Sequence, residues 1–181
     1  MKPMTLDEIR RRDLKRVCHH EAGHLVALTR LGGLGSITIS EAENCDDLML
    51  YGGRCQILMP PAAERGEVLV GLAGVIAEDL MYDIGVEAQE ILEHIEESMS
   101  DSDARIASGY TPEDVERVLE LLRENWADVQ LHADNQVSKW EVLQLSRESS
   151  HCSPRSRQWS PTVTERSPHL RCTKPTPTGA S

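Results

Sequence analysis

The stretch His20-Glu21-Ala22-Gly23-His24 decides how the chain places its most reactive side chains. It fits the pattern H-E-x-x-H, in which two histidines stand four residues apart. Four residues make about one helical turn, so both imidazoles lie on one helical face and can bind a single ion. Two neutral imidazoles suit Zn²⁺, and an open position on that ion lowers the pKa of a bound water to about 7. We therefore expect hydrolysis by a zinc-activated water, which Glu21 can reach without ligating the metal.

The residues around this motif predict a helix from Thr5 to Leu31. Thr5 and Glu8 form a capping-box pair at its start, and Gly32-Gly33 ends the apolar repeat. Gly23 lies inside the helix, where glycine costs about 1 kcal/mol relative to alanine. We therefore expect another element to pack closely against Gly23.

Composition predicts one folded domain and a tail. The chain has 181 residues and a net charge of −11, which argues against nucleic acid as a partner. Residues 146–181 are rich in Ser, Pro and Arg and lack periodic apolar positions, so we expect a domain over 1–145 and a disordered tail over 146–181. That tail is either native or the product of a shifted reading frame.

Two further absences bear on the cellular setting. No apolar run approaches 18 residues and no signal peptide is visible, so we expect no membrane span. The five cysteines make an odd number and contain no C-x-x-C pair, which favours a reducing cytoplasm.

Further along the chain, the pattern predicts a mainly α fold with a small β-sheet or hairpin beside the zinc helix. The strands are expected at 36–40 and within 48–59, the latter as one or two strands. Helices are expected over 61–82, from about 100–102 to 109, from Thr111 onward, and in a final portion that carries Val137 to Leu145.

A third zinc ligand must come from outside the motif. Ala27 and Arg30 occupy the positions where a metzincin has Gly and His, so that class is excluded. Several carboxylates remain open on chemistry alone: Glu41, Glu43, Glu64, Glu67, Glu78, Asp79, Asp101 and Asp103. We do not expect His19, His94 or His132 to reach the metal.

The order of motifs resembles the zinc peptidase domain of the FtsH-type membrane AAA proteases over about residues 14–145. That family has an H-E-A-G-H helix, a short sheet, a helix of the form L-x-G-x-x-A-E-E and an S-N-D-type turn. Here the helix reads Leu72-Ala73-Gly74-Val75-Ile76-Ala77-Glu78-Asp79, and the turn reads Asp101-Ser102-Asp103. The resemblance implies that His20, His24 and Asp103 bind Zn²⁺, that Glu21 is the general base, and that the substrate is a peptide or an unfolded protein. It also implies that Gly52-Gly53 lies on a strand edge lining the cleft, although a turn or bulge suits this pair equally.

The chain also departs from that family. It contains no G-x-x-x-x-G-K-[ST] loop, and aspartate replaces the second glutamate of A-E-E. The resemblance therefore implies a peptidase domain that acts without its own ATPase, and it leaves open a homo-oligomer or a separate ATPase partner. The alternative function is a non-enzymatic adaptor or regulatory module that retains the zinc site.

Overall fold

The computed structural model describes residues 3–42 and 50–151. The fold is mainly helical with one small antiparallel sheet, as predicted. Its elements are α1 (Leu6–Arg30), β1 (Leu34–Glu41), β2 (Tyr51–Met59), α2 (Gly66–Tyr82), α3 (Ala88–Leu92), α4 (Ile95–Ser98), α5 (Asp101–Ile106), α6 (Pro112–Glu124) and α7 (Trp126–His151).

Helix α1 begins and ends where its sequence predicts. The Thr5 hydroxyl caps it by accepting a hydrogen bond from the Glu8 amide, and the Glu8 carboxylate accepts one from the Thr5 amide in return. At the other end Gly32 has φ of 86°, a left-handed conformation that glycine adopts without strain. The chain can therefore leave α1 sharply and enter β1.

The two strands form a hairpin that packs on α1. Ile39 pairs with Gly53 and Ser40 with Gly52, and the register shifts between Leu34 and Gly35. Residues 51–59 form a single strand, and the predicted strand residues 48–49 lie outside the described part. The packing places β2 along the same helix that carries the two histidines.

Helix α2 lies at the centre of the molecule and is apolar on most sides. Leu69, Leu72 and Ile76 are fully buried on it. Gly23 of α1 meets α2 so closely that an added Cβ would lie 2.5 Å from Ala73 O. The close packing predicted at Gly23 is confirmed, and it brings the α1 histidines against α2.

Two boundaries differ from their predictions. A helix was expected from Pro61, but α2 begins at Gly66, because the chain turns over 63–66 and Arg65 adopts a left-handed φ of 56°. The repeat expected to run on from Thr111 is divided at Asn125, whose side-chain amide donates to Leu121 O. The short helices α3 and α4 were not predicted, because five- and four-residue turns leave little periodic signal.

The C-terminal boundary also lies further along than expected. Helix α7 continues to His151, past the predicted domain end at residue 145. Residues 152–181, which make up most of the predicted tail, lie outside the described residues.

Candidate metal centre

Helices α1 and α5 bring His20, His24 and Asp103 to one point. The Nε2 atoms of the two histidines are 3.0 Å apart. Asp103 Oδ2 lies 3.2 Å from His20 Nε2, and Asp103 Oδ1 lies 3.4 Å from His24 Nε2. Two imidazole nitrogens and the Asp103 carboxylate therefore face one another, although Asp103 follows His24 by 79 positions in the sequence.

The hydrogen bonds at the far side of each imidazole determine its tautomer. His20 Nδ1 lies 2.7 Å from Glu78 Oε1, and His24 Nδ1 lies 2.6 Å from Val70 O. Both partners are acceptors, so each Nδ1 carries a proton and donates it. In the neutral rings, the Nε2 lone pairs therefore face each other and the Asp103 carboxylate. Such a set of lone pairs suits a bound cation.

The spacing of these atoms is compatible with one bound metal ion. Bonds of about 2.0–2.1 Å at tetrahedral angles separate neighbouring ligand atoms by about 3.3 Å. Here the two Nε2 atoms are 3.0 Å apart, and each lies 3.2–3.4 Å from a different oxygen of the Asp103 carboxylate. Two imidazoles and one carboxylate are a donor set of the kind that catalytic zinc sites use.

The pKa shifts of His20 and Asp103 reflect how closely these groups approach each other. Burial opposes a charge on His20, but the hydrogen bonds with Asp103 and Glu78 outweigh it and raise the pKa of His20 to about 9. Burial also opposes a charge on Asp103, yet hydrogen bonds with His20, His24 and Ser100 hold its pKa well below its usual range. The Asp103 carboxylate is therefore ionised at neutral pH, and the pocket favours a positive charge beside it.

Glu21 lies next to this cluster and against β2. Its side chain is buried, and an added Cβ on Gly53 would lie 2.5 Å from Glu21 Oε1. Burial raises the pKa of Glu21, and the nearby His24 and His20 offset only part of that rise. A carboxylate with a raised pKa is a better proton acceptor than one in water.

Helix α2 leaves room for the ligands through a glycine. An added Cβ on Gly74 would lie 2.5 Å from His20 Nε2 and even closer to His24 Nε2. Gly74 therefore allows α2 to pass directly behind both ligand atoms. The sequence predicts close packing at the small residues of this helix, Gly74 among them, but which atoms approach Gly74 depends on packing between distant segments.

Glu78 supports the site without joining the ligand cluster. Glu78 accepts a hydrogen bond from His20 Nδ1, which lies on the edge of the ring away from Asp103. Arg16 donates to both Glu78 oxygens at 3.1 Å, and His20 and Arg16 outweigh burial to lower the pKa of Glu78. Glu78 was one of the candidate third ligands, and the structure places it as a partner of His20 instead.

The other candidates do not join the cluster. Within the described residues, one group of three ligands meets, and it comprises His20, His24 and Asp103. The carboxylates outside this group are Glu41, Glu64, Glu67, Asp79 and Asp101, and Glu43 lies outside the described part of the chain.

His19 and His94, two of the other described histidines, also lie elsewhere. His19 contacts Lys15 O and the Trp126 ring, and His94 contacts Asp79. Neither imidazole faces the cluster, as expected from the helical position of His19.

The cluster opens into a cleft of about 980 Å³. One wall is β2 from Tyr51 to Ile57, and another is the segment that leads into α5. Within the described residues β2 pairs only with β1, so its second edge has no strand partner. An extended peptide could pair with such an edge.

The chain matches no protein-family model and no curated protein. None of its described helices combines the length and apolarity that crossing a membrane requires. The chemistry of the site is therefore inferred from its own atoms.

Proposed function

We propose that the chain is a zinc metallopeptidase of the FtsH type that hydrolyses peptide bonds in unfolded or flexible protein segments. One observation carries this proposal: His20, His24 and Asp103 converge beside the buried carboxylate of Glu21. Two histidines, one aspartate and an adjacent general base make up the protein side of a zinc hydrolase.

Each residue has a separate role in this proposal. His20 and His24 would hold the ion through Nε2, and Asp103 would hold it through its carboxylate. A bound Zn²⁺ would supply a Lewis acid that polarises the scissile carbonyl and activates water. The buried Glu21 carboxylate would accept a proton and later return it to the leaving amine, for which its raised pKa is suited.

The cleft supports a peptide as the substrate. The free edge of β2 offers main-chain donors and acceptors to an extended chain. Gly53 lets this strand run directly over Glu21, so a peptide paired along β2 would pass close to the base. A segment whose main-chain groups are already paired inside a folded protein cannot bind in this way, and the proposal is therefore limited to unfolded or flexible segments.

The first test is metal content. We expect about one zinc per purified chain by elemental analysis, and we expect Asp103→Ala to lower the zinc content strongly. A wild-type protein that takes up no zinc would overturn the proposal.

The second test separates catalysis from binding. Glu21→Gln keeps the shape of the side chain but removes the proton acceptor, so zinc content should stay normal. Cleavage of unfolded casein should fall by about 10²-fold or more. If both proteins bind zinc and cleave only at background level, the chain acts as the non-enzymatic adaptor. A cytoplasmic location stays a prediction from the cysteine pattern, and the resemblance leaves open a homo-oligomer or a separate ATPase partner.

A further inference from the structure

A buried carboxylate connects the cleft strand to the metal centre. Asp13 is 8% exposed and lies on α1, two turns before His20. Its Oδ2 accepts hydrogen bonds from the backbone amides of Leu50 and Tyr51, at 2.7 and 3.0 Å. These two residues lead into β2, so Asp13 attaches the start of the cleft strand to α1.

The other oxygen of Asp13 points along the helix to Arg16. Asp13 Oδ1 accepts from Arg16 Nη2 at 3.0 Å and from Nε at 3.3 Å. Arg16 uses its remaining terminal nitrogen, Nη1, to donate to both oxygens of Glu78. Glu78 in turn holds His20 Nδ1 at 2.7 Å.

These contacts form one continuous path of charge-assisted hydrogen bonds from the Tyr51 amide to the His20 ring. Every group in it is buried or half-buried, so solvent screens the charges less than at an open surface. A planar guanidinium can bind two carboxylates with fixed geometry, whereas an ammonium group cannot. Arg16 therefore fixes the position of Glu78 relative to Asp13.

We propose that Asp13 and Arg16 are a pair of positioning residues that set the cleft strand and the His20 imidazole relative to each other. The inference rests on the proposed function, since it assigns this pair to the zinc site and to the peptide-binding strand. Asp13 acts on substrate through Leu50 and Tyr51, and Arg16 acts on the metal through Glu78. Neither residue touches the reacting atoms.

The first experiment measures zinc affinity by competition with a chelator. Arg16→Met retains most of the apolar stem but removes the guanidinium, and we expect zinc affinity to fall about 10–100-fold. Arg11→Met is the matched control, because Arg11 lies on the same helix and pairs with Glu141 away from the site. The absorption spectrum of the Co²⁺-substituted protein should change in Arg16→Met and stay unchanged in Arg11→Met.

The second experiment asks whether the two residues act together. Asp13→Asn should lower zinc affinity, raise KM for a quenched peptide, and speed hydrogen exchange at the Leu50 and Tyr51 amides. Because Asp13 reaches the metal through Arg16, the double variant should bind zinc about as well as Arg16→Met alone. Cooperative thermal unfolding of each variant confirms that the loss is local.

Two failures can be told apart. A wild-type chain that binds no zinc would overturn the proposed function together with this inference. A wild type that binds zinc normally, with unchanged affinity and amide exchange in both single variants, would overturn the inference alone. Losses in zinc affinity that multiply in the double variant would also contradict the shared path.

Discussion

At the scale of single residues, the His20 ring has two distinct edges. Its Nδ1 donates to Glu78, and its Nε2 faces His24 and Asp103. A histidine with an acceptor at one nitrogen is held in one tautomer and one orientation, which prepares the other nitrogen for a metal. The spacing of His20 and His24 predicted that both rings lie on one face of α1. It could not predict the acceptor at each Nδ1, because Glu78 and Val70 lie far away in the sequence.

Two neighbouring glycines on β2 give a test at the same scale. An added Cβ on Gly53 would collide with the Glu21 side chain, but one on Gly52 would meet only Ser40 Oγ at 4.0 Å. We expect Gly53→Ala to displace Glu21 and to lower the cleavage rate about 10–100-fold with zinc content unchanged. Gly52→Ala is the control and should keep most of the activity. Equal activity in the two variants would contradict this placement of Glu21.

At the scale of elements, the close approach of α1 and α2 sets the position of the histidines. Gly23 is buried against Ala73 and Ala77, and Gly74 lies behind both ligand nitrogens. The capping signals predicted where α1 starts. They carried no information about which face of α2 it meets, because a contact between helices depends on both surfaces.

Gly23→Ala tests this helix contact. Alanine would gain about 1 kcal/mol of helix propensity, but its Cβ would lie 2.5 Å from both Ala73 O and Ala77 Cβ. Overpacking a core typically costs about 1–3 kcal/mol, and here it must move backbone, so we expect a net loss of about 1–2 kcal/mol in the free energy of unfolding. Denaturant unfolding measures this loss. Arg10→Ala on the exposed face of α1 should change it by less than about 0.5 kcal/mol, and a stabilised Gly23→Ala protein would refute the contact.

At the scale of the whole molecule, the site depends on how α5 is held against α2. Asp103 follows His24 by 79 residues, and three helices lie between them. An added Cβ on Gly71 of α2 would lie 2.8 Å from Ala107 N, just after α5. Arg65, before α2, donates to Asp114 at the start of α6 and to Gly109 O. These contacts hold α5 in the position where Asp103 lies beside the two histidines.

The Asp114 carboxylate makes part of this packing depend on pH. The hydrogen bond with Arg65 and the bonds from Thr111 outweigh burial and lower the pKa of Asp114. A lowered pKa in the folded state adds stability above the unfolded value of about 3.9, and this stability is lost as the pH falls through the folded value. We expect Asp114→Asn to lower the free energy of unfolding by about 1 kcal/mol at pH 7. That difference should shrink in acid.

Urea unfolding across this pH range measures the effect. Glu116→Gln changes an exposed carboxylate on the same helix and is the control, expected to change the free energy of unfolding at pH 7 by less than about 0.5 kcal/mol. A difference between Asp114→Asn and wild type that stays constant down to acid pH would contradict the assigned pKa direction.

The sequence by itself determined the local features of this protein. It predicted α1 with its caps, the two histidines on one face, the small sheet and the mainly helical class, because these depend on residues a few positions apart. The residues alone left eight carboxylates open as the third ligand, and the resemblance pointed to Asp103. Only the tertiary structure brought Asp103 to the two histidines, placed Glu78 behind His20, and brought Gly53 over Glu21. Those outcomes depend on packing between segments far apart in the chain, and no spacing in a single sequence encodes that packing directly.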